Sequence, residues 1–193
     1  MAQSSIRNNY QLLVIGGSAG SLEVLINVLP HLRNDLALAI VVVMHRKPGE
    51  SFLTDIIASK TSWPVKEAEE KEAIQQGHIY IAPADYHLLL EKDRTFSLDF
   101  SEKIHFSRPA IDATFETASE AYGGAVIGVL LSGANADGAS GLGLVKKAGG
   151  LTIVQDPSEA AVPYMPEQAI QQVTVDYIAT TTMIIDIINR IGQ

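Results

Sequence analysis

The sequence predicts a three-layer α/β/α domain built on a mostly parallel, doubly wound sheet with an inserted antiparallel β-hairpin. Short apolar runs alternate with longer amphipathic stretches, the pattern of strands joined by crossover helices. The central part of the chain departs from that alternation, with two short runs around a polar turn. The 193 residues, 47% hydrophobic and 19% charged, suit one domain with a full core, and a single domain over 1–193 with a core over about 11–191 is expected.

The first predicted strand is Leu12–Ile15, ending at Gly16. Ser21–Leu32 carries Leu22, Leu25, Ile26 and Leu29 at helical spacing. Leu36–Met44 reads as a buried strand, and Ser51–Ser59 as a second helix with Phe52, Ile56 and Ile57 on one side. His78–Ala82 reads as a strand ending at Pro83. Tyr86–Glu91 and Thr95–Phe100 flank the turn Lys92-Asp93-Arg94 as the hairpin. Pro109 is expected to open a helix through Tyr122, since proline fits a first turn. Ala125–Leu131 is a long strand and Ala139–Ala148 a helix, stopped by Gly149 and Gly150. Leu151–Val154 and Val173–Ile178 are further strands, and Thr182–Ile191 a closing helix.

The net charge of −8 disfavours nucleic acid as a partner, although Arg46 and Lys47 are a candidate local basic pair. Without cysteine there are no disulfides, thiol metal sites or thiol nucleophile. The N-terminal residues do not resemble a signal peptide. The longest apolar run, Leu36–Met44, is too short to span a bilayer. A cytoplasmic protein without direct membrane insertion is expected.

Parallel sheets place their chemistry beyond the carboxyl ends of the strands. Three predicted strands end in polar or reactive groups: Gly16-Gly17-Ser18-Ala19-Gly20, His45, and Ser132-Gly133-Ala134-Asn135-Ala136-Asp137-Gly138. Residues 16–20 admit two readings. A phosphate loop would use backbone N–H groups, but GxGxxG does not fit, no Walker lysine follows, and His45 stands where a dinucleotide site places an acid. A GxSxG nucleophile elbow would lift Ser18 on a tight turn; a plain turn also explains the five residues. His45 is either a strand-end histidine bonded to a carbonyl or a general base, for which an unperturbed pKa of about 6.5 suits it. Asp137 is either a turn or N-cap aspartate or the carboxylate orienting the imidazole. A triad predicts a chain of hydrogen bonds from Ser18 Oγ through His45 to Asp137, each about 3 Å long. His105 is a candidate cleft residue. Arg108 is expected to pair with Asp112 four residues on, with a role on an acidic surface or a product carboxylate as the other reading. Tyr164, Met165 and Pro166 read as a loop over the sheet or as a cleft wall.

Several segments resemble the catalytic domain of the CheB-type protein-glutamate methylesterases: VIGGSAGSLE, VVVMHRKPGESF, GHIYIAPADYHLLL, HFSRPAIDATFETAS, LLSGANADGASGL and TIVQDPSEAAVPYMPEQAI. They lie in order from about Leu12 to about Ile178. The resemblance implies Ser18 as nucleophile, His45 as general acid/base and Asp137 as orienting carboxylate, with no metal and no cofactor. It further implies hydrolysis of glutamate γ-methyl esters on the cytoplasmic signalling region of chemoreceptors, and deamidation of receptor glutamines. Family members commonly carry threonine where Ala19 stands and methionine where Ala134 stands. About ten residues precede the first strand, so no receiver domain is expected, which leaves a separate phosphorylated response regulator as a candidate partner. A receptor-binding module with weak or no turnover, an esterase with another substrate, and a nucleotide-binding domain are the alternatives.

Overall fold

The structure, a computed structural model, describes residues 9–46, 49 and 52–192. Lys47 and Ser51, named above, lie outside the described residues. The main sheet has seven parallel strands: β1 (Leu12–Gly17), β2 (Ala39–Met44), β3 (Val65–Glu67), β4 (Ile79–Ile81), β7 (Val126–Leu130), β8 (Leu151–Gln155) and β9 (Tyr177–Ala179). Their order is β3-β4-β2-β1-β7-β8-β9. A separate two-stranded antiparallel sheet pairs β5 (His87–Leu90) with β6 (Phe96–Asp99). The helices are α1 (Ser21–Val28), α2 (Phe52–Ala58), α3 (Ile111–Tyr122), α4 (Ala139–Lys147), α5 (Tyr164–Gln172) and α6 (Thr181–Asn189).

The central strands are apolar throughout because both faces are covered. Side chains alternate between the faces. Leu13, Ile15, Ile40 and Val42 join Leu25 of α1, Ile57 of α2 and Ile184 of α6 in one core. Leu12, Val14, Val41 and Val43 join Phe115 of α3, Leu142 of α4 and Met165 of α5 in the other. The expected three-layer α/β/α architecture is the one observed. The hairpin rides on α3: Leu90 N–H donates to Thr117 Oγ1 at 3.1 Å, and Thr114 Oγ1 donates to Leu88 O at 2.8 Å.

Three expectations need correction. The helix expected from Pro109 begins two residues later, at Ile111, because Ala110 remains extended and its N–H donates to His87 Nδ1. The segment read as a loop at Tyr164 starts a helix, with Pro166 in its first turn where its missing N–H costs nothing. That helix runs to Gln172, so the last strand begins at Tyr177 instead of Val173. The three-residue β3, of mixed exposure, is too short to leave a period-2 signal.

The chain leaves β1 toward β2 on one side and later returns to β1's other side as β7. This reversal at β1 is the switch point at which open α/β sheets form a crevice beyond their carboxyl ends.

Candidate active site

β1, β2 and β7 deliver the predicted site residues to that crevice. The register pairs Gly17 with Met44, so Ser18 and His45 are the next residues out on adjacent strands. His45 N–H donates to Gly17 O at 3.2 Å, and Ser18 N–H donates to Ser132 O at 2.9 Å. Gly133 closes the contact with the aspartate loop. A Cβ there would fall 3.1 Å from Ser18 Cβ and 2.4 Å from the Met165 side chain, a collision that only glycine avoids. The left-handed residue of the serine turn is Gly20, at φ 81°, which leads into α1. Ser18 itself is not in the positive-φ region. The turn thus differs from an α/β-hydrolase elbow, in which the serine stands on the strained position.

His45 Nε2 and Asp137 Oδ2 are 2.7 Å apart. Asp137 is fully buried, which demands compensating partners for its charge. It has them: Ile111 N–H donates to Oδ2 at 2.7 Å and Asp112 N–H to Oδ1 at 2.9 Å. One carboxylate therefore caps α3, gains from the positive end of that helix, and accepts the imidazole N–H. With the proton on Nε2, the neutral ring presents its Nδ1 lone pair as the basic atom.

The serine arm is different. Among the described residues Ser18 Oγ makes no hydrogen bond. The group at His45 Nδ1 is Ser107 Oγ, 3.2 Å away. Of the expected chain, the histidine–aspartate step is formed and the serine–histidine step is not.

A second carboxylate mirrors Asp137. Asp112 Oδ1 accepts from Gly138 N–H at 2.9 Å and Gly141 N–H at 2.7 Å, capping α4. Each aspartate thus caps the helix adjoining the other. Asp112 Oδ2 also lies 3.3 Å from His105 Nε2. Burial pushes the Asp112 carboxyl above its ordinary range and the Asp137 charge adds to this, while the glycine N–H groups and His105 oppose it.

Arg108 does not pair with Asp112. It donates to Asp85 Oδ1 from Nη2 at 2.7 Å and from Nε at 3.2 Å, and lies 3.8 Å over the Phe100 ring. Asp112 is turned inward to the helix caps instead. Arg46 pairs with Glu67 and the Ala82 carbonyl. Tyr164 is half exposed, whereas Met165 is buried against Gly133. His87 is buried, accepting from Ala110 N–H at Nδ1 and donating to Glu102 O from Nε2. His31 and His78 bond nearby carbonyls at the surface.

Sequence reasoning missed Ser107, the capping role of Asp112 and the buried Ser132. Ser132 Oγ donates to Ala19 O at 2.6 Å and accepts from Val162 N–H at 2.9 Å, joining the serine turn to the segment before α5. These roles depend on contacts distant in sequence, and no local pattern marks them. Gly133 N–H is committed to Val162 O, so it is not an available oxyanion donor. Ala19 N–H has no protein acceptor among the described residues. No group of three or more His, Cys, Asp and Glu suited to a metal occurs among the described residues.

The family model described as CheB methylesterase matches residues 13–188. The chain belongs to the CheB methylesterase family. A protein of Leptospira interrogans is 46% identical over 188 residues, 96% of each chain. Proteins named protein-glutamate methylesterase/protein-glutamine glutaminase match from Thermotoga maritima, at 38% identity over 172 residues, and from Pyrococcus horikoshii, at 36% over 171. The chain covers 50% and 46% of these two relatives, with 87% and 86% of itself aligned. The crystal structure of the Thermotoga maritima CheB methylesterase catalytic domain superposes with a TM-score of 0.89 at 35% identity, covering 94% of this chain and 98% of that one. The CheB family assignment expected from the ordered segments is thereby shown, as is the fold.

Proposed function

We propose that the protein is a serine hydrolase that demethylates glutamate γ-methyl esters on the cytoplasmic signalling region of chemoreceptors, and deamidates receptor glutamines at the same site. The observation that carries the reading is the 2.7 Å bond between His45 Nε2 and the buried Asp137, one strand away from Ser18. Family membership supplies the substrate class. No described helix is long and apolar enough to cross a membrane, in keeping with action on the cytoplasmic part of a receptor.

In this reading Ser18 Oγ attacks the γ-carbonyl while His45 Nδ1 takes its proton. Asp137 holds the ring in the required tautomer and stabilises the imidazolium. The Ala19 N–H, at the start of the turn into α1, faces the developing oxyanion; such donors are worth about 10²–10³ in rate. The carbon–oxygen bond to methoxide breaks, and the imidazolium proton leaves with it as methanol. Water, deprotonated by His45, then cleaves the acyl-enzyme to free carboxylate and Ser18. For glutamine, ammonia leaves in place of methanol. Ala19 and Ala134 remove side chains around the oxyanion but leave the Ala19 backbone donor in place.

A docking module without turnover is the second reading, favoured by the absence of a hydrogen bond from Ser18 Oγ to His45 among the described residues. Methanol release from a methylated receptor fragment, run beside a panel of simple carboxylic esters, separates the readings. The methylesterase releases methanol from the receptor well above its rate on simple esters. Binding of the fragment without methanol release contradicts it, and equal rates across the panel point to another ester substrate.

A further inference from the structure

We propose that Ser107 guards the general base: its hydroxyl occupies His45 Nδ1 and must release that nitrogen before Ser18 can use it. The inference rests on the serine-hydrolase reading above and adds a positioning residue to it. An imidazole nitrogen offers one in-plane lone pair, and so one strong hydrogen bond. Asp137 accepts the hydrogen bond from Nε2–H, which leaves Nδ1 as the sole acceptor on the ring. Ser107 Oγ stands there at 3.2 Å. Ser18 Oγ, on the adjacent strand end, has no hydrogen bond among the described residues. The two hydroxyls compete for one lone pair.

Ser107 can yield without being stranded. Its own turn offers a second acceptor, the His105 carbonyl, at 3.5 Å from Oγ. Rotation of the hydroxyl moves its proton from His45 to that carbonyl, and a turn of the short side chain about χ1 then takes Oγ off Nδ1.

The turn that presents Ser107 is built against backbone preference. His105 and Phe106 are successive non-glycine residues at φ 47° and 63°, a conformation that L residues seldom adopt in succession. Phe106 does not earn its place through packing, since its side chain is 97% exposed. The turn is held by other means. Ile104 and Ser107 exchange N–H···O bonds of 3.1 and 2.8 Å. Asn135 Nδ2 donates to His105 O at 3.2 Å, and its Oδ1 accepts from Asp137 N–H at 3.1 Å. His105 Nε2 reaches Asp112. Strain retained at a site and fixed by several partners points to a function for the held geometry. Here the geometry delivers one hydroxyl to the base.

The test is the rate at which a fluorophosphonate phosphonylates Ser18. The reagent forms a P–O bond to Ser18 and loses fluoride, while the hydroxyl proton passes to His45. Peptide mapping locates the label, and S18A serves as the control. The guard predicts that S107A labels Ser18 roughly two- to tenfold faster at saturating reagent, the worth of one neutral hydrogen bond. S107T, which restores the hydroxyl, labels at the wild-type rate. A purely structural role for Ser107 would slow labelling or leave it unchanged, and either result overturns the proposal, as does label found on Ser107. If the wild type takes no label at all, the serine-nucleophile reading fails first and the guard with it. If the wild type is labelled at Ser18 and S107A is no faster, the guard alone is wrong.

Discussion

Two aspartate–histidine pairs lie side by side at the starts of α3 and α4, and they are not equivalent. Asp137 and His45 are 2.7 Å apart, with the carboxylate side chain fully buried and the ring 11% exposed. Asp112 and His105 are 3.3 Å apart, with the ring 45% exposed. Each carboxylate accepts two backbone N–H groups, so each is a helix cap first. The difference lies in the histidine. His45 is fixed by a strand end within the crevice, whereas His105 sits on a strained surface turn. A buried, short pair can hold a tautomer for proton transfer; a longer, half-exposed pair fastens a loop. In the proposed mechanism the same residue types with the same capping duty thus serve chemistry in one place and tethering in the other, and exposure decides which.

The largest contrast is expected from removing charge at Asp137. In D137N a single amide oxygen cannot serve Ile111 N–H, Asp112 N–H and the imidazole together. The ring is pushed to the tautomer that lacks a basic Nδ1, so kcat should fall by about 10⁴-fold, read as methanol release. An unmet N–H should also cost about 1–3 kcal/mol in denaturant unfolding. D112A tests the mirror site. It uncaps α4 at about 1–2 kcal/mol and loosens the loop that carries Asp137. The expected loss of kcat is about tenfold to a hundredfold, since small misplacements of reacting groups cost that much.

D112N keeps the capping oxygen while removing the charge, and it tests the sign of the Asp112 shift. A carboxyl whose folded pKa is raised above its ordinary 3.8 favours the folded state in its protonated form. That contribution is complete below the unfolded pKa and is lost as pH rises through the folded value. At pH 7 the wild type bears the cost of the buried charge. D112N should therefore melt at or above the wild type there, with the advantage shrinking as pH falls toward 3.8. A gap that widens on acidification would reverse the assignment. H105A should have the smallest effect, within about 1 kcal/mol, as befits an exposed pair.

Legibility followed locality. The strands Leu12–Gly17 and Ala39–Met44 are apolar at every position because both faces are buried, and that pattern marks them in the sequence. Ser18 and His45 are legible because each directly follows such a strand, and Asp137 because it lies in the polar loop that leaves β7 for α4. The start of α3 was misplaced because its cap, Asp137, lies 26 residues from Ile111 in sequence. Arg108 was assigned to Asp112 on helical spacing, yet it precedes the helix and bonds Asp85. Ser107 gave no signal, since its significance comes wholly from a histidine 62 residues away. Residues placed by their own strand could be read; those placed by another element could not.

The most direct test of the central claim is the rate of methanol release from methylated receptor signalling fragment by the wild type and by S18A, with folding of both checked by thermal unfolding. Loss of nearly all turnover in a folded S18A protein is the predicted result. Release at the wild-type rate from S18A would contradict the assignment of Ser18 as the nucleophile.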